Sequence, residues 1–152
     1  MKKLFSMILG LVCAAGLVFA VSGCDKEDEA AISNTMTLDG TTYEFEAVIY
    51  HEGHMSADYY HLDCDTKNST LHGHGEFLKS WVGKTTDLKG EFFEEFNPQS
   101  GDSYIPNIKS GTIKITKTEK GLHIIVDATE TSGKAFKMNV LAEDEESFNA
   151  RQ

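Results

Sequence analysis

The stretch Gly111-Thr112-Ile113-Lys114-Ile115-Thr116 alternates between apolar and polar side chains. Such alternation is typical of a half-buried β-strand, because successive side chains of a strand point to opposite faces of the sheet. A turn at Glu119-Lys120-Gly121 leads into a second alternating run, 122–128. A further turn leads into a third run, at Phe136, Met138 and Val140. These runs predict three strands in an antiparallel meander, and they decide the fold class.

The chain before this meander has the same rhythm. Thr37-Leu38-Asp39-Gly40-Thr41 places Asp-Gly between β-favouring residues, which predicts a hairpin. Further strands are predicted over 43–50, 58–64 and 71–81, and around Leu88, Gly90, Phe92 and Phe96. This spacing predicts an all-β domain of about eight or nine strands, either a single antiparallel β-barrel or a β-sandwich.

The N-terminus has the composition of a secretory signal helix. Lys2 and Lys3 precede the run 4–21, in which Ser6 is the only polar side chain. The run is also at the lower edge of the roughly 17–25 residues that cross a bilayer, so an uncleaved membrane anchor is the alternative. Its ending in the small residues Ser22 and Gly23 favours cleavage, because a peptidase needs an unhindered chain.

The ending Val21-Ser22-Gly23-Cys24 resembles the lipobox of bacterial lipoproteins. That resemblance implies acylation of Cys24 with diacylglycerol and palmitate-type chains, cleavage before it, and stable attachment to a membrane. The run Asp25-Lys26-Glu27-Asp28-Glu29 is a solvated tether by composition, and it is similar to the acidic export signals of Bacteroidetes lipoproteins. The resemblance implies an outer-membrane protein exposed at the cell surface, with a periplasm-facing orientation as the alternative.

These features predict four parts of the chain: a signal peptide at 1–23, an acidic tether at 24–33, a β domain at 34–142 and an acidic tail at 143–152. The chain carries 24 acidic against 14 basic side chains, a formal net charge of −10. Loss of the signal peptide removes two lysines and no acidic residue, so the mature protein is more acidic still. This charge argues against a nucleic-acid partner, which requires a basic patch.

The Gly-Thr-Ile-x-Ile strand and the Ile-x-Val-x-Ala strand near the C-terminus resemble small lipocalin-like β-domain lipoproteins of Bacteroidetes, a group largely of unknown function. The sequence contains neither a Gly-x-Ser-x-Gly elbow nor a phosphate-binding glycine loop, and we therefore expect no enzyme activity. The expected function is a lipid-anchored binding or interaction module without a cofactor, for a small-molecule, glycan or protein ligand. Aromatic side chains are expected mainly in the core, with Trp81 and Phe93 as candidates for an exposed ligand surface.

Histidines provide the alternative function. Five of the six lie between positions 51 and 74, namely His51, His54, His61, His72 and His74. His72 and His74 share one face of a strand, and the neighbouring strand brings His61 or Cys64 near, so zinc, copper or haem iron is the candidate ligand. With a loop at 66–70, Cys64 is expected at the level of His72, and His61 on the other face. The predicted metal residues are His61, Cys64, His72 and His74, in competition with burial of the lone Cys64 thiol in the core.

Overall fold

Strands make up most of the part of the chain that the structure describes. The computed structural model describes residues 31–38, 40–53, 56–67, 71–91, 93–98 and 105–152, with 91 and 93–98 as backbone only. Within these residues the strands are β1 (Thr35–Leu38), β2 (Thr41–Glu52), β3 (Tyr59–Thr66), β4 (Leu71–Leu78), β5 (Lys84–Asp87), β6 (Gly90–Glu91), β7 (Phe93–Pro98), β8 (Asn107–Lys117), β9 (Leu122–Glu130) and β10 (Ala135–Asp144). A 3₁₀ helix at Lys79–Trp81 and a short helix α1 (Glu145–Asn149) accompany them. The all-β prediction is confirmed.

The ten described strands belong to one curled sheet. Its order is β5-β8-β9-β10-β1-β2-β3-β4-β7, and β6 also pairs with β8. The predicted meander is confirmed, because β8, β9 and β10 pair antiparallel along nearly their whole length. A single sheet curled around one core corresponds to the barrel alternative, in the form of a half-barrel, and not to two stacked sheets.

The hairpin predicted at Asp-Gly is confirmed by the pairing of Leu38 with Thr41. Two other strand predictions need correction. The strand expected over 71–81 ends at Leu78, because the chain turns there into the 3₁₀ helix. The strand expected around Leu88 is interrupted: Leu88 lies buried between β5 and β6, and β6 begins only at Gly90, which has a φ of 91° and pairs with Ile108. Phe92, which belonged to the same prediction, lies outside the described residues.

The short strand β1 occupies only part of the gap between β10 and β2. Beyond it, β10 and β2 meet directly as a parallel pair, with Glu143 opposite Ile49. Asn34 makes this junction, with a left-handed φ of 51°. Its Oδ1 accepts a hydrogen bond from the Leu141 N–H at 2.8 Å, and its carbonyl accepts one from the Phe45 N–H at 2.9 Å. Asparagine suits this position because it tolerates the left-handed region and carries a short acceptor.

The inner face of the sheet forms one apolar core. Alternate residues of β8, β9 and β10 point into it, as the sequence pattern predicts, and β2, β3 and β4 contribute from the other half of the sheet. The largest fully buried apolar side chains are Phe77, Phe136, Met36, Leu62, Ile108, Ile113, Ile115, Ile124 and Met138. Phe45, Phe77 and Phe136 lie in this core, as expected for most aromatics. Trp81 was expected at an exposed ligand surface, but it is partly buried and packs against the core.

The segments predicted before and after the β domain can be compared with the structure. The predicted signal peptide, Cys24 and most of the predicted tether fall within 1–30, outside the described residues. At the other end, β10 extends to Asp144, and α1 occupies part of the predicted acidic tail. Oδ1 of Asp144 accepts hydrogen bonds from the N–H groups of Glu146 and Ser147, so Asp144 is the N-cap of α1.

Candidate metal centre

The outer face of β2, β3 and β4 carries a group of histidines and carboxylates. Cross-strand pairing places His51 opposite His61, and it places His74 opposite Asp63. His72 lies opposite Asp65 in the next row of the same face. We call His51, His61, Asp63, His72 and His74 the His/Asp cluster. Directly opposite residues on one face of a sheet have Cβ atoms about 4.5–5.5 Å apart, so their side chains are in contact range.

The pairing of β3 with β4 differs by one residue from the sequence prediction. Cys64 lies opposite Gly73 and not at the level of His72. The reason is the turn: Thr66 remains in β3, and its Oγ1 accepts a hydrogen bond from the Leu71 N–H at 3.0 Å and donates one to the Leu71 carbonyl at 3.2 Å. The expected loop at 66–70 is therefore one residue too long. A shift of one residue exchanges the faces on which strand neighbours meet.

This register separates the four residues that the sequence singled out. His61, which was expected on the other face, shares the outer face with His72 and His74. Cys64 points into the core and is fully buried. Burial, with a smaller contribution from the charges of Asp63 and Asp65, raises the pKa of the Cys64 thiol well above its ordinary value. Cys64 is thus a core residue, in agreement with the competing expectation from sequence.

Asp63 lies at the centre of the His/Asp cluster. Nδ1 of His74 donates a hydrogen bond to Asp63 Oδ1 at 2.6 Å. Nε2 of His61 is 3.4 Å from the same oxygen, and Nε2 of His51 is 3.4 Å from Oδ2. His61 Nε2 and His74 Nδ1 are 3.3 Å apart. Three imidazoles therefore converge on one carboxylate.

Three of the histidines have an oxygen partner at Nδ1, and in His51 and His61 this is the ring nitrogen opposite the one that faces Asp63. Nδ1 of His51 donates to the carbonyl oxygen of Glu52 at 2.9 Å. Nδ1 of His61 is 3.7 Å from Oε1 of Glu76, and Nδ1 of His72 donates to Oδ1 of Asp65. A partner at Nδ1 orients the ring and directs Nε2 toward a ligand, as is usual for metal-bound histidine. The partners Glu52, Glu76 and Asp65 thus serve as outer supports of the cluster.

The cluster is accessible from solvent at one side. His61 and His51 expose 14% and 17% of their side chains, whereas His72 exposes 44%. His74 and Asp63 are intermediate. A dissolved ion can therefore enter past His72, and the inner imidazoles are shielded from competing water.

These distances match the ligand spacing of a first-row transition metal. Zinc binds imidazole nitrogen and carboxylate oxygen at about 2.0–2.1 Å, so the ligand atoms of a tetrahedral site lie about 3.3 Å from one another. The 3.4 Å spacings from Asp63 oxygens to Nε2 of His61 and of His51 fit this value, and the 2.6 Å hydrogen bond from His74 to Asp63 opens by less than an ångström to reach it. A set of imidazoles and one carboxylate suits zinc, copper or nickel.

Sequence reasoning found three members of the cluster and missed the roles of two. Asp63 was visible as an acid on the same strand face as His61, but only the β3–β4 register places it between His61 and His74. The role of His51 becomes visible only from the β2–β3 pairing, which places it opposite His61 across a turn. Of the other residues that the sequence singled out, Trp81 is half-buried, and His54 and the side chain of Phe93 lie outside the described residues.

An open groove lies elsewhere on the domain, between the β8–β9 turn and α1. It has a volume of about 550 Å³ and is lined mainly by polar and charged groups, among them Tyr50, Lys117, Lys120, Asp144 and Arg151. Burial and the nearby charge of Asp144 raise the pKa of Tyr50, so its hydroxyl keeps its proton, and can donate a hydrogen bond, to a higher pH than an exposed tyrosine does.

In the part of the chain that the structure describes, both helices are too short to cross a lipid bilayer. Comparison of the chain with protein-family models, with curated proteins and with solved structures found no match.

Proposed function

We propose that this chain is a lipid-anchored, non-enzymatic protein of the bacterial cell envelope whose β domain binds a transition-metal ion. The observation that carries the proposal is the convergence of His51, His61 and His74 on Asp63. Each of these ligands stands on a strand of one sheet, which holds its position more precisely than a loop would. The ion is Zn²⁺ or another divalent metal that prefers imidazole.

The electrostatics of the face support binding of a cation. Asp63 is flanked by Asp65 and Glu76, and these carboxylates contact histidines of the cluster. Neutral imidazole supplies no charge, so the carboxylates are the groups that compensate a divalent ion. The outer supports also keep the imidazole rings oriented, which lowers the reorganisation needed on binding.

The test of metal binding is calorimetric titration of the full-length chain, purified in detergent, with Zn²⁺. Asp63→Asn and His61→Ala are each expected to weaken binding by at least about tenfold, since outer-sphere changes alone typically have effects of 10–100-fold. Asp127→Asn is the matched control, because Asp127 is an exposed carboxylate of β9 that pairs with Lys137. Absence of a binding heat, together with an unchanged melting temperature in excess Zn²⁺, would reject the proposal.

The proposed membrane attachment rests on the lipobox-like ending at Cys24. The resemblance to bacterial lipoproteins implies that the anchor lies in the outer membrane. Its test is the partition of the chain into detergent after expression in a bacterium that acylates lipoproteins. Cys24→Ser is expected to leave an unprocessed N-terminus and no incorporated palmitate. Normal processing and palmitate incorporation in that variant would contradict the assignment of Cys24. Protease digestion of intact cells distinguishes surface exposure from the periplasm-facing alternative.

A second candidate function is favoured by the groove beside α1. Its mixed lining of Lys117, Lys120, Tyr50 and Asp144 offers donors and acceptors to a polar small molecule or a glycan. Chemical-shift mapping with a panel of monosaccharides tests this candidate. Saturable shifts confined to the groove residues are expected, and Lys120→Ala should reduce them. Chemical shifts that stay unchanged with every monosaccharide would reject this second candidate function.

A further inference from the structure

We infer that the His/Asp cluster holds two metal ions, bridged by Asp63. The inference deepens the proposed function and rests on it. The ligand atoms form two triads that share only this residue: His51, His61 and Asp63 in the first, and Asp63, His72 and His74 in the second. Within each triad the ligand atoms lie within 4.8 Å of one another.

The two oxygens of Asp63 point toward different histidines. Oδ2 faces His51 of the first triad at 3.4 Å. Oδ1 accepts the hydrogen bond from His74 of the second triad at 2.6 Å, and it also lies 3.4 Å from Nε2 of His61. A carboxylate oriented in this way can give one oxygen to each of two ions. Two-metal sites in proteins have ions about 3.5–4 Å apart, a separation that one bridging carboxylate spans.

The triads lie side by side across the sheet. The first is formed by β2 and β3, with the rings of His51 and His61 centred 5.0 Å apart. The second is formed by β3 and β4, with the rings of His72 and His74 centred 4.3 Å apart. Asp63 stands on the middle strand, so each triad has one pair of imidazoles on its own side of the shared carboxylate.

Each triad also has its own outer carboxylate. Glu76 stands behind His61 in the first triad, and Asp65 stands behind His72 in the second. The duplication of the carboxylate–histidine pair, together with the third carboxylate at Asp63, provides the charge and the ring orientation that two divalent ions require.

The second triad is the more exposed of the two. His72 exposes 44% of its side chain and Asp65 exposes 54%, against 17% for His51 and 14% for His61. Because water competes more strongly at the exposed position, the first triad is expected to fill at lower Zn²⁺ concentration and the second to fill afterwards.

The experiment is a titration of the full-length chain in detergent with Zn²⁺, in which bound metal is counted by equilibrium dialysis and elemental analysis. The wild-type chain is expected to bind about two ions in two steps. His72→Ala should remove the weaker step and leave the first with less than about a threefold change. Because His72 lies on the surface, this substitution does not disturb the core.

Two further variants sharpen the result. His51→Ala is expected to weaken the tighter step, and Asp63→Asn should weaken both steps because it removes the bridge. Saturation at one ion per chain, with His72→Ala indistinguishable from wild type, would overturn the two-ion inference and leave the proposed metal binding intact. Absence of Zn²⁺ binding in the wild-type chain would overturn both.

Discussion

Asp63 and His74 are cross-strand neighbours on β3 and β4, and Nδ1 of His74 donates a hydrogen bond to Oδ1 of Asp63 at 2.6 Å. The next residue along β3, Cys64, points into the core and is fully buried. One step along the strand therefore separates the polar outer face from the apolar interior. The proposed metal ligands and the lone described thiol belong to different environments, and their substitutions should have different effects.

Replacement of Cys64 by Ser should lower stability without weakening metal binding. A buried hydroxyl in place of the thiol costs about 1–3 kcal/mol where it finds no hydrogen-bond partner. Denaturant unfolding and Zn²⁺ calorimetry check the two quantities on the same variant. His74→Ala is the counterpart, with weaker Zn²⁺ binding and little loss of stability. A loss of Zn²⁺ affinity in Cys64→Ser would show that the thiol coordinates metal.

The Cys64 thiol should react slowly with alkylating reagents in the folded protein. Burial raises its pKa, so at pH 8 the folded chain holds the unreactive protonated form, whereas an unfolded thiol with a pKa of about 8.5 is partly ionised. The stability that this group contributes is complete below that unfolded pKa. It is lost as the pH rises toward the higher folded value, because only the unfolded state then releases the proton.

Measurement of iodoacetamide labelling at pH 8, with and without denaturant, checks this prediction. A chain with Cys64→Ala serves as the control, because it identifies labelling at any other cysteine. Equal labelling rates in native and denaturing buffer would contradict the buried position of the thiol.

Asn34 should be sensitive to loss of its side-chain acceptor. In Asn34→Gly the left-handed backbone is retained without strain, but the Leu141 N–H loses its partner, and we expect a destabilisation of about 1–3 kcal/mol. Asn34→Asp keeps an acceptor oxygen at the same position and should cost less. Thermal unfolding of both variants measures the difference. Equal melting temperatures for the two variants would indicate that the bond to Leu141 contributes little.

Gly121 and Gly83 form a matched pair for a test of close packing. Both have positive φ, 147° and 81° respectively, and neither conformation suits alanine. A Cβ at Gly121 would lie 2.1 Å from the Ala142 carbonyl oxygen, whereas one at Gly83 meets no atom within 4 Å. Gly83→Ala should cost about 1–2 kcal/mol from backbone strain alone.

Gly121→Ala is expected to destabilise the domain by more than Gly83→Ala, because β9 must move away from β10 to relieve the added contact. Urea unfolding of the two variants gives the comparison. A smaller effect at Gly121 than at Gly83 would mean that the turn between β8 and β9 adjusts without disturbing the sheet.

Local pattern alone was enough to predict the fold class. The alternation from Gly111 to Val140 assigns each side chain to one of two faces, because the strand period is two, and the glycine-containing turns separate the strands. The Asp-Gly hairpin and the burial of alternate residues in β8, β9 and β10 follow from the same local rule. The sequence also identified the region between positions 51 and 74 as rich in histidine.

Tertiary structure decided which of these residues meet. Alternation states that His61, Asp63 and Asp65 share a face, but it does not state which residues of the next strand lie beside them. That choice depends on the β3–β4 turn, where Thr66 bonds to Leu71 and sets the register. In the predicted register Cys64 lies beside His72 as a possible ligand. In the observed register, one residue away, it lies opposite Gly73 and is part of the core. The site forms from pairing between strands, which requires contacts distant in sequence, whereas the fold class follows from contacts within each strand and its turns.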